Sequence, residues 1–140
     1  MREPPAVAER AIVGALETGF GIRVAALLFL PVGNDAASWA YRVEVAGGPS
    51  LFLKIRAGGG AMPGAAVPGH LHRHGVPLVL APLPTAAGSP YLVVDRFALA
   101  LYPMLDAATG AEVGLSQAQW RELGAAIRRI HSLPPAPELT

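Results

Sequence analysis

A chain of 140 residues with a formal net charge of +1 and no cysteine has the length of one domain, and it excludes both a disulfide framework and a thiolate metal site. Its eleven Lys and Arg residues are scattered rather than gathered into a stripe that could track a phosphodiester backbone, so nucleic acid is not expected as a partner. Hydrophobic residues make up 52% of the chain and charged residues only 15%, with a mean hydropathy of +0.40, which implies apolar surface that waits for another lobe or subunit.

Pro4 and Pro5 suit the first turn of a helix, and the Ala-rich stretch that follows carries Ile12, Leu16 and Phe20 at i, i+4 and i+8. This predicts an N-terminal helix ended near Gly19 and Gly21. The apolar run "VAALLFL" is far shorter than the roughly 20 residues a bilayer-spanning helix needs. Glu3, Glu9 and Glu17 stand where a secretory leader would be basic, so a cytoplasmic chain without membrane partners is expected. "IRVAALLFLPV" then reads as a first strand, "NDAAS" as its turn and "WAYRVEVA" as a second strand, with Tyr41, Val43 and Val45 alternating with Arg42 and Glu44.

"GGPS" is short enough for a hairpin, and "LFLKI" continues the meander as a third strand. Leu51, Leu53 and Ile55 fall on one face, Phe52 and Lys54 on the other. Lys54 is the only lysine in the chain; every other cationic residue is arginine. A lysine is a compact point charge on a slim stem, which meets a phosphate end-on where a planar guanidinium fork would crowd it. "AGGGAMPGAAVPG" is too rich in Gly and Pro to be regular and leads into "HLHRHG", a helix of about two turns closed by Gly75. His70 and His74 are four apart, but without nearby carboxylates or cysteine no metal site is expected there.

"VPLVLAPLPT", "YLVV" and "FALALYPML" are expected to supply two or more further strands. The last element is the most clearly signalled. Ser116 is an N-cap with Gln119 at N3, and Leu115 is placed to staple onto Trp120. Trp120, Leu123, Ile127 and Ile130 recur at helical spacing from about Gln117 to Ser132, where His131 suits the negative end of the helix dipole.

"GNDAASWAYRVEV", "LFLKI", "VPGHLHRHGVPLVLAPLPT" and "LALYPMLDAATGAEVGLSQAQWRELGAAIRRIHSLP", in that order, resemble the N-terminal lobe of the aminoglycoside phosphotransferase family, distant relatives of protein kinases, and most of all its spectinomycin-type branch. The resemblance implies an α+β kinase-like lobe: a five-stranded antiparallel sheet with a short helix after the third strand, an N-terminal helix and a long C-terminal helix. It implies a nucleotide-binding lobe over residues 1–102, and an inter-lobe linker with the first helix of a second lobe over 103–140. It also implies ATP as cofactor, with Lys54 on the α- and β-phosphates. Gly33, Asn34 and Ser38 would belong to a phosphate-covering loop whose small Ala36 and Ala37 permit close approach. Phe52 and Met104 would line the adenine pocket, and the Tyr102 carbonyl and Met104 amide would meet the base edge.

Two features depart from the family pattern. The helix after the third strand holds no glutamate to orient Lys54. The family's H-x-D catalytic loop, its following asparagine and its magnesium-binding aspartate have no counterpart in these 140 residues, so Mg²⁺ ligands are expected in a second lobe and the chain alone is expected not to turn over. The partners implied are a nucleotide and, in an intact enzyme, a small hydroxylated acceptor. A different class of reading stays open beside this one: a non-catalytic α+β interaction module that self-associates through its exposed apolar inter-lobe face.

Overall fold

The computed structural model describes residues 3–58 and 62–135. Its frame is one antiparallel sheet built from β1 (Val24–Leu30), β2 (Ser38–Val45), β3 (Leu51–Ala57), β4 (Leu92–Val94) and β5 (Phe97–Pro103), in the spatial order β1-β2-β3-β5-β4. The three-strand meander and the final strand pair lie where the sequence reading placed them. The expected five-stranded α+β lobe is observed.

Each face of the sheet has a different task because side chains alternate along a strand. On one face Leu53 lies between Tyr41 and Leu101 across the register, and Ile55 between Trp39 and Leu99. These residues form a core with Val43, Leu51 and Phe97, closed by Ile12 and Leu16 of α1 (Glu9–Phe20). The i, i+4 pair read from the sequence is therefore the buried stripe of that helix. Gly21 ends it in the left-handed region, φ 67°, and returns its N–H to the Glu17 carbonyl, a conformation that costs glycine nothing.

The opposite face carries α2 (Pro63–Arg73). Met62 and Ala65 pack against Ala98, Ala100 and Tyr102 of β5, and the small side chains on β5 let the helix approach closely. This helix corrects the sequence reading, which made residues up to Gly69 irregular; residues 59–61 of that stretch lie outside the described residues. The helix begins at Pro63, a residue pre-set for the first turn, and continues through Pro68. Pro68 has no N–H for the Gly64 carbonyl one turn earlier. The Tyr102 hydroxyl, 3.3 Å away, donates to that carbonyl instead. Gly75, φ 82°, follows the end of α2 as expected.

Of the three segments expected to supply two or more further strands, the second and third give β4 and β5, whereas residues 76–85 form no strand. Pro77, Pro82 and Pro84 remove three main-chain donors. The segment is attached to the sheet at single points instead, with Leu83 N–H donating to the Leu101 carbonyl at 2.7 Å.

After β5 come a single turn, α3 (Gly110–Val113), and then α4 (Gln117–Ser132). The start of α4 is the capping box foreseen from its sequence: Ser116 Oγ accepts from Gln119 N–H and the Gln119 side chain accepts from Ser116 N–H. Leu115 lies over Gly110 and shares a hollow with Leu78, Leu123 and Ile127, while Trp120 remains 59% exposed. Near its C-terminal end α4 meets α2: the Arg129 guanidinium donates to the His74 carbonyl at 3.4 Å, and His70 Nε2 donates to the Pro134 carbonyl at 3.3 Å. No helix among the described residues is long and apolar enough to cross a membrane.

Candidate nucleotide site

Lys54 is positioned by strand parity. It sits at the centre of β3, on the face away from α1, and its cross-strand neighbours are Ala40 on β2 and Ala100 on β5. Two alanines beside a lysine leave an open trough along the sheet, in which the ammonium can project without being covered. The next row along the same face is Arg42, Phe52 and Tyr102, and the row on the other side is Ser38, Arg56 and Ala98.

The trough opens into two hollows that share Lys54. One, of about 280 Å³, lies under the β1–β2 turn and is lined by Gly33, Asn34, Asp35, Ser38, Ala40 and Phe52 among others. The second, of about 290 Å³, lies toward α2 and is lined by Arg56, Met62, Pro63 and Gly64. Five of the residues singled out from the sequence, Gly33, Asn34, Ser38, Phe52 and Lys54, thus come together in one cavity. Tyr102 is beside Phe52 in the register. Met104 lies past the end of β5, half-buried, and lines neither hollow.

Asp35 and Arg56 were not singled out from the sequence. The Asp35 carboxylate organises the β1–β2 turn: it accepts from Ala37 N–H at 2.9 Å, from Ser38 Oγ at 2.7 Å and from Arg56 Nη1 at 3.0 Å. The Asp35 carbonyl also accepts from Ser38 N–H. The sequence signal for the turn was present, an aspartate followed by small residues and a serine three positions on, a pattern that favours side-chain-to-backbone turns. Arg56 is two residues beyond Lys54 and therefore on the same face, but its pairing with the turn depends on the β2–β3 register.

These hydrogen bonds, led by that from Ser38, hold the Asp35 carboxyl below its ordinary value of 3.8, with Arg56 and Lys54 assisting through their charge. A carboxyl lowered in the folded state contributes stability above its ordinary value and loses it as pH falls through the folded-state value. Asp35→Asn is therefore expected to lower the thermal midpoint slightly at neutral pH, and the gap should close below about pH 3.8. A gap that widened in acid would contradict this assignment.

No ion pair among the described residues includes Lys54. Met62, Pro63 and Gly64, at the start of the helix that follows β3, line the second hollow opposite Lys54. The paired histidines of α2 direct ring nitrogens at carbonyls: His74 Nδ1 donates to the His70 carbonyl at 2.8 Å, and the two rings stack at 4.1 Å.

The last strand, β5, has its own parity. Arg96 turns its carbonyl toward β3, accepting from Gly58 N–H, and Leu101 turns its carbonyl away, accepting from Leu83 N–H. Because main-chain groups alternate sides along an antiparallel strand, the Tyr102 carbonyl faces β3 and the Pro103 carbonyl faces the other way.

The half-open trough around Lys54, which has no ion pair among the described residues, lies beneath a short turn of small residues on a sheet with the α+β fold of a kinase-like lobe. Comparison with solved structures shows the same fold. Spectinomycin phosphotransferase APH(9)-Ia in complex with ADP and spectinomycin superimposes with a TM-score of 0.77 at 22% identity, over 93% of this chain and 40% of that one. Its AMP-bound complex gives 0.74 at 23%, over 91% and 39%. Amicoumacin kinase hAmiN in complex with AMP-PNP, Ca²⁺ and Ami gives 0.59 at 19%, over 89% and 39%. The chain therefore spans about 40% of the length of these proteins. No family model matches the sequence, and comparison with curated proteins finds no match.

Proposed function

We propose that this chain is the ATP-binding lobe of a phosphotransferase that passes the γ-phosphate of ATP to a hydroxyl of a small molecule of the aminoglycoside-like class. The observation that carries the reading is the Lys54 ammonium, set between two alanines at the junction of two hollows. Such a charge can neutralise two phosphate oxygens at once, and among the described residues it has no ion pair to give up when a phosphate arrives. Support also comes from the fold shared with structures that hold ADP, AMP and AMP-PNP.

In this reading Gly33, Asn34 and Ser38 cover the phosphates, and the base lies against Phe52 and the strap from Tyr102 to Met104. Strand parity moves the expected main-chain acceptor for the base edge from Tyr102 to Pro103. Among the described residues no three carboxylates or histidines converge. The Mg²⁺ ligands, the residue that orients the attacking hydroxyl and the acceptor pocket would belong to a second lobe, without which the chain would bind nucleotide and not transfer phosphate.

The test is calorimetric titration of the chain with ATP and with adenosine. Lys54→Ala is expected to weaken ATP binding by about 30-fold, the loss of one charge-assisted contact of roughly 2 kcal/mol, and to leave adenosine unaffected. Equal affinities of wild type and Lys54→Ala for ATP would sink the proposal. The second reading, self-association, draws on the exposed face of α4, where Leu123 and Ile127 are 40% and 45% exposed. Sedimentation showing concentration-dependent association that nucleotide does not alter, together with no preference for ATP over adenosine, would favour it.

A further inference from the structure

The most unusual feature of the trough is that an acidic residue occupies its phosphate end. The donors that a phosphate-covering turn has to offer, the Ala37 amide and the Ser38 hydroxyl, are both engaged by the Asp35 carboxylate, and so is the Arg56 guanidinium. A carboxylate that collects an amide, a hydroxyl and a guanidinium has the partner set that a phosphate oxygen takes. Asp35 and Lys54 line one hollow, Lys54 and Arg56 the other, so the Asp35–Arg56 pair bridges the two hollows next to the lysine.

The pair is built to exchange. Its side chains are 48% and 50% exposed, and an ion pair in that setting is weak. A triphosphate brings several charges to the same place, and the guanidinium's donors match phosphate oxygens two at a time. Neighbouring strand positions also matter: Ser38, Arg56 and Ala98 form one row, so the turn's hydroxyl and the guanidinium already stand side by side, with a small residue beyond that leaves room.

We propose that Arg56 is a second phosphate-binding cation of this lobe and that Asp35 is its resident stand-in, holding Arg56, Ser38 and Ala37 until a nucleotide phosphate displaces the carboxylate. The inference rests on the nucleotide-lobe reading and adds to it a named contact and an intramolecular competitor. It also supplies what the missing glutamate leaves open: the phosphate end is organised from the β1–β2 turn and not from α2.

Calorimetric titration of the 140-residue chain with ATP and adenosine, in wild type, Arg56→Gln, Asp35→Asn and the double variant, tests this, with Lys54→Ala as the reference. Arg56→Gln is expected to weaken ATP binding by about 5- to 10-fold and leave adenosine unchanged. Asp35→Asn is expected to tighten ATP binding by about 3-fold, since it removes the competitor and keeps the shape, and this gain should shrink in the Arg56→Gln background, where only Ser38 and Ala37 remain to be released. Circular dichroism confirms that each variant is folded. If the Asp35→Asn gain persists undiminished without Arg56, the aspartate acts only by general charge repulsion and the stand-in role is overturned. Weaker ATP binding in Asp35→Asn overturns it too, and an Arg56→Gln variant that binds ATP like wild type removes Arg56 from the site. In those cases a loss in Lys54→Ala leaves the nucleotide-lobe reading standing; no preference for ATP over adenosine in any of the proteins ends both.

Discussion

Leu53→Ala is expected to lower the unfolding free energy by about 3–4 kcal/mol, the cost of a buried large-to-small change plus the cavity left behind. The side chain has no exposed surface. It lies on the central strand with Tyr41 and Leu101 on either side, within the cluster that also contains Leu16 of α1, so a void there has rigid walls on every side and little can collapse into it. For a domain whose total stability is on the order of 5–15 kcal/mol, this is a loss of roughly 10 °C in thermal midpoint. The control is Leu28→Ala on β1, where the side chain is 49% exposed and the cost should stay within about 0.5 kcal/mol. Chemical denaturation reads both, as shifted midpoints with an unchanged slope. Similar costs for the two variants would mean that the core does not lie between the sheet and α1.

What was legible in the sequence depends on the range of the interactions involved. The alternation in "WAYRVEV" and "LFLKI" decides which face each residue takes, so Lys54, Phe52 and their separation from Leu53 were legible from the chain alone. The start of α4 was legible for the same reason, because Ser116 and Gln119 form a contact three residues long. The helix over 63–69 was not, since the composition there argues against a helix and what permits one lies elsewhere. Pro63 starts the helix, and the carbonyl left over by Pro68 is met by Tyr102, a residue of β5. Residues 76–85 failed in the opposite sense: an apolar run that looks like a strand lacks the donors to pair as one. At the site, the turn glycine, asparagine and serine could be read, whereas the grip of Asp35 on Arg56 spans 21 positions and requires the β2–β3 register to be known.

Pro68→Ala is expected to stabilise the lobe by about 2 kcal/mol, less than the full cost of roughly 3 kcal/mol for an interior proline, because the flexible unfolded chain gains entropy. The reason is specific. Alanine restores the N–H that the Gly64 carbonyl lacks, and it competes for that carbonyl with the Tyr102 hydroxyl. Burial keeps the Tyr102 phenol protonated by raising its pKa, so it remains a donor throughout the physiological range. Tyr102→Phe should then cost about 1 kcal/mol in the natural background and close to nothing beside Pro68→Ala. A double-mutant cycle would give a coupling of roughly 1 kcal/mol, measured by denaturation of all four proteins; additive effects would show that the hydroxyl does not support α2. The link also has a functional direction. Tyr102 is opposite Phe52 in the register, and α2 begins with the residues that face Lys54 across the second hollow. In the proposed reading one hydroxyl thus ties the Tyr102–Met104 strap to the wall of the second hollow, and in Tyr102→Phe the affinity for ATP is expected to fall more than that for adenosine.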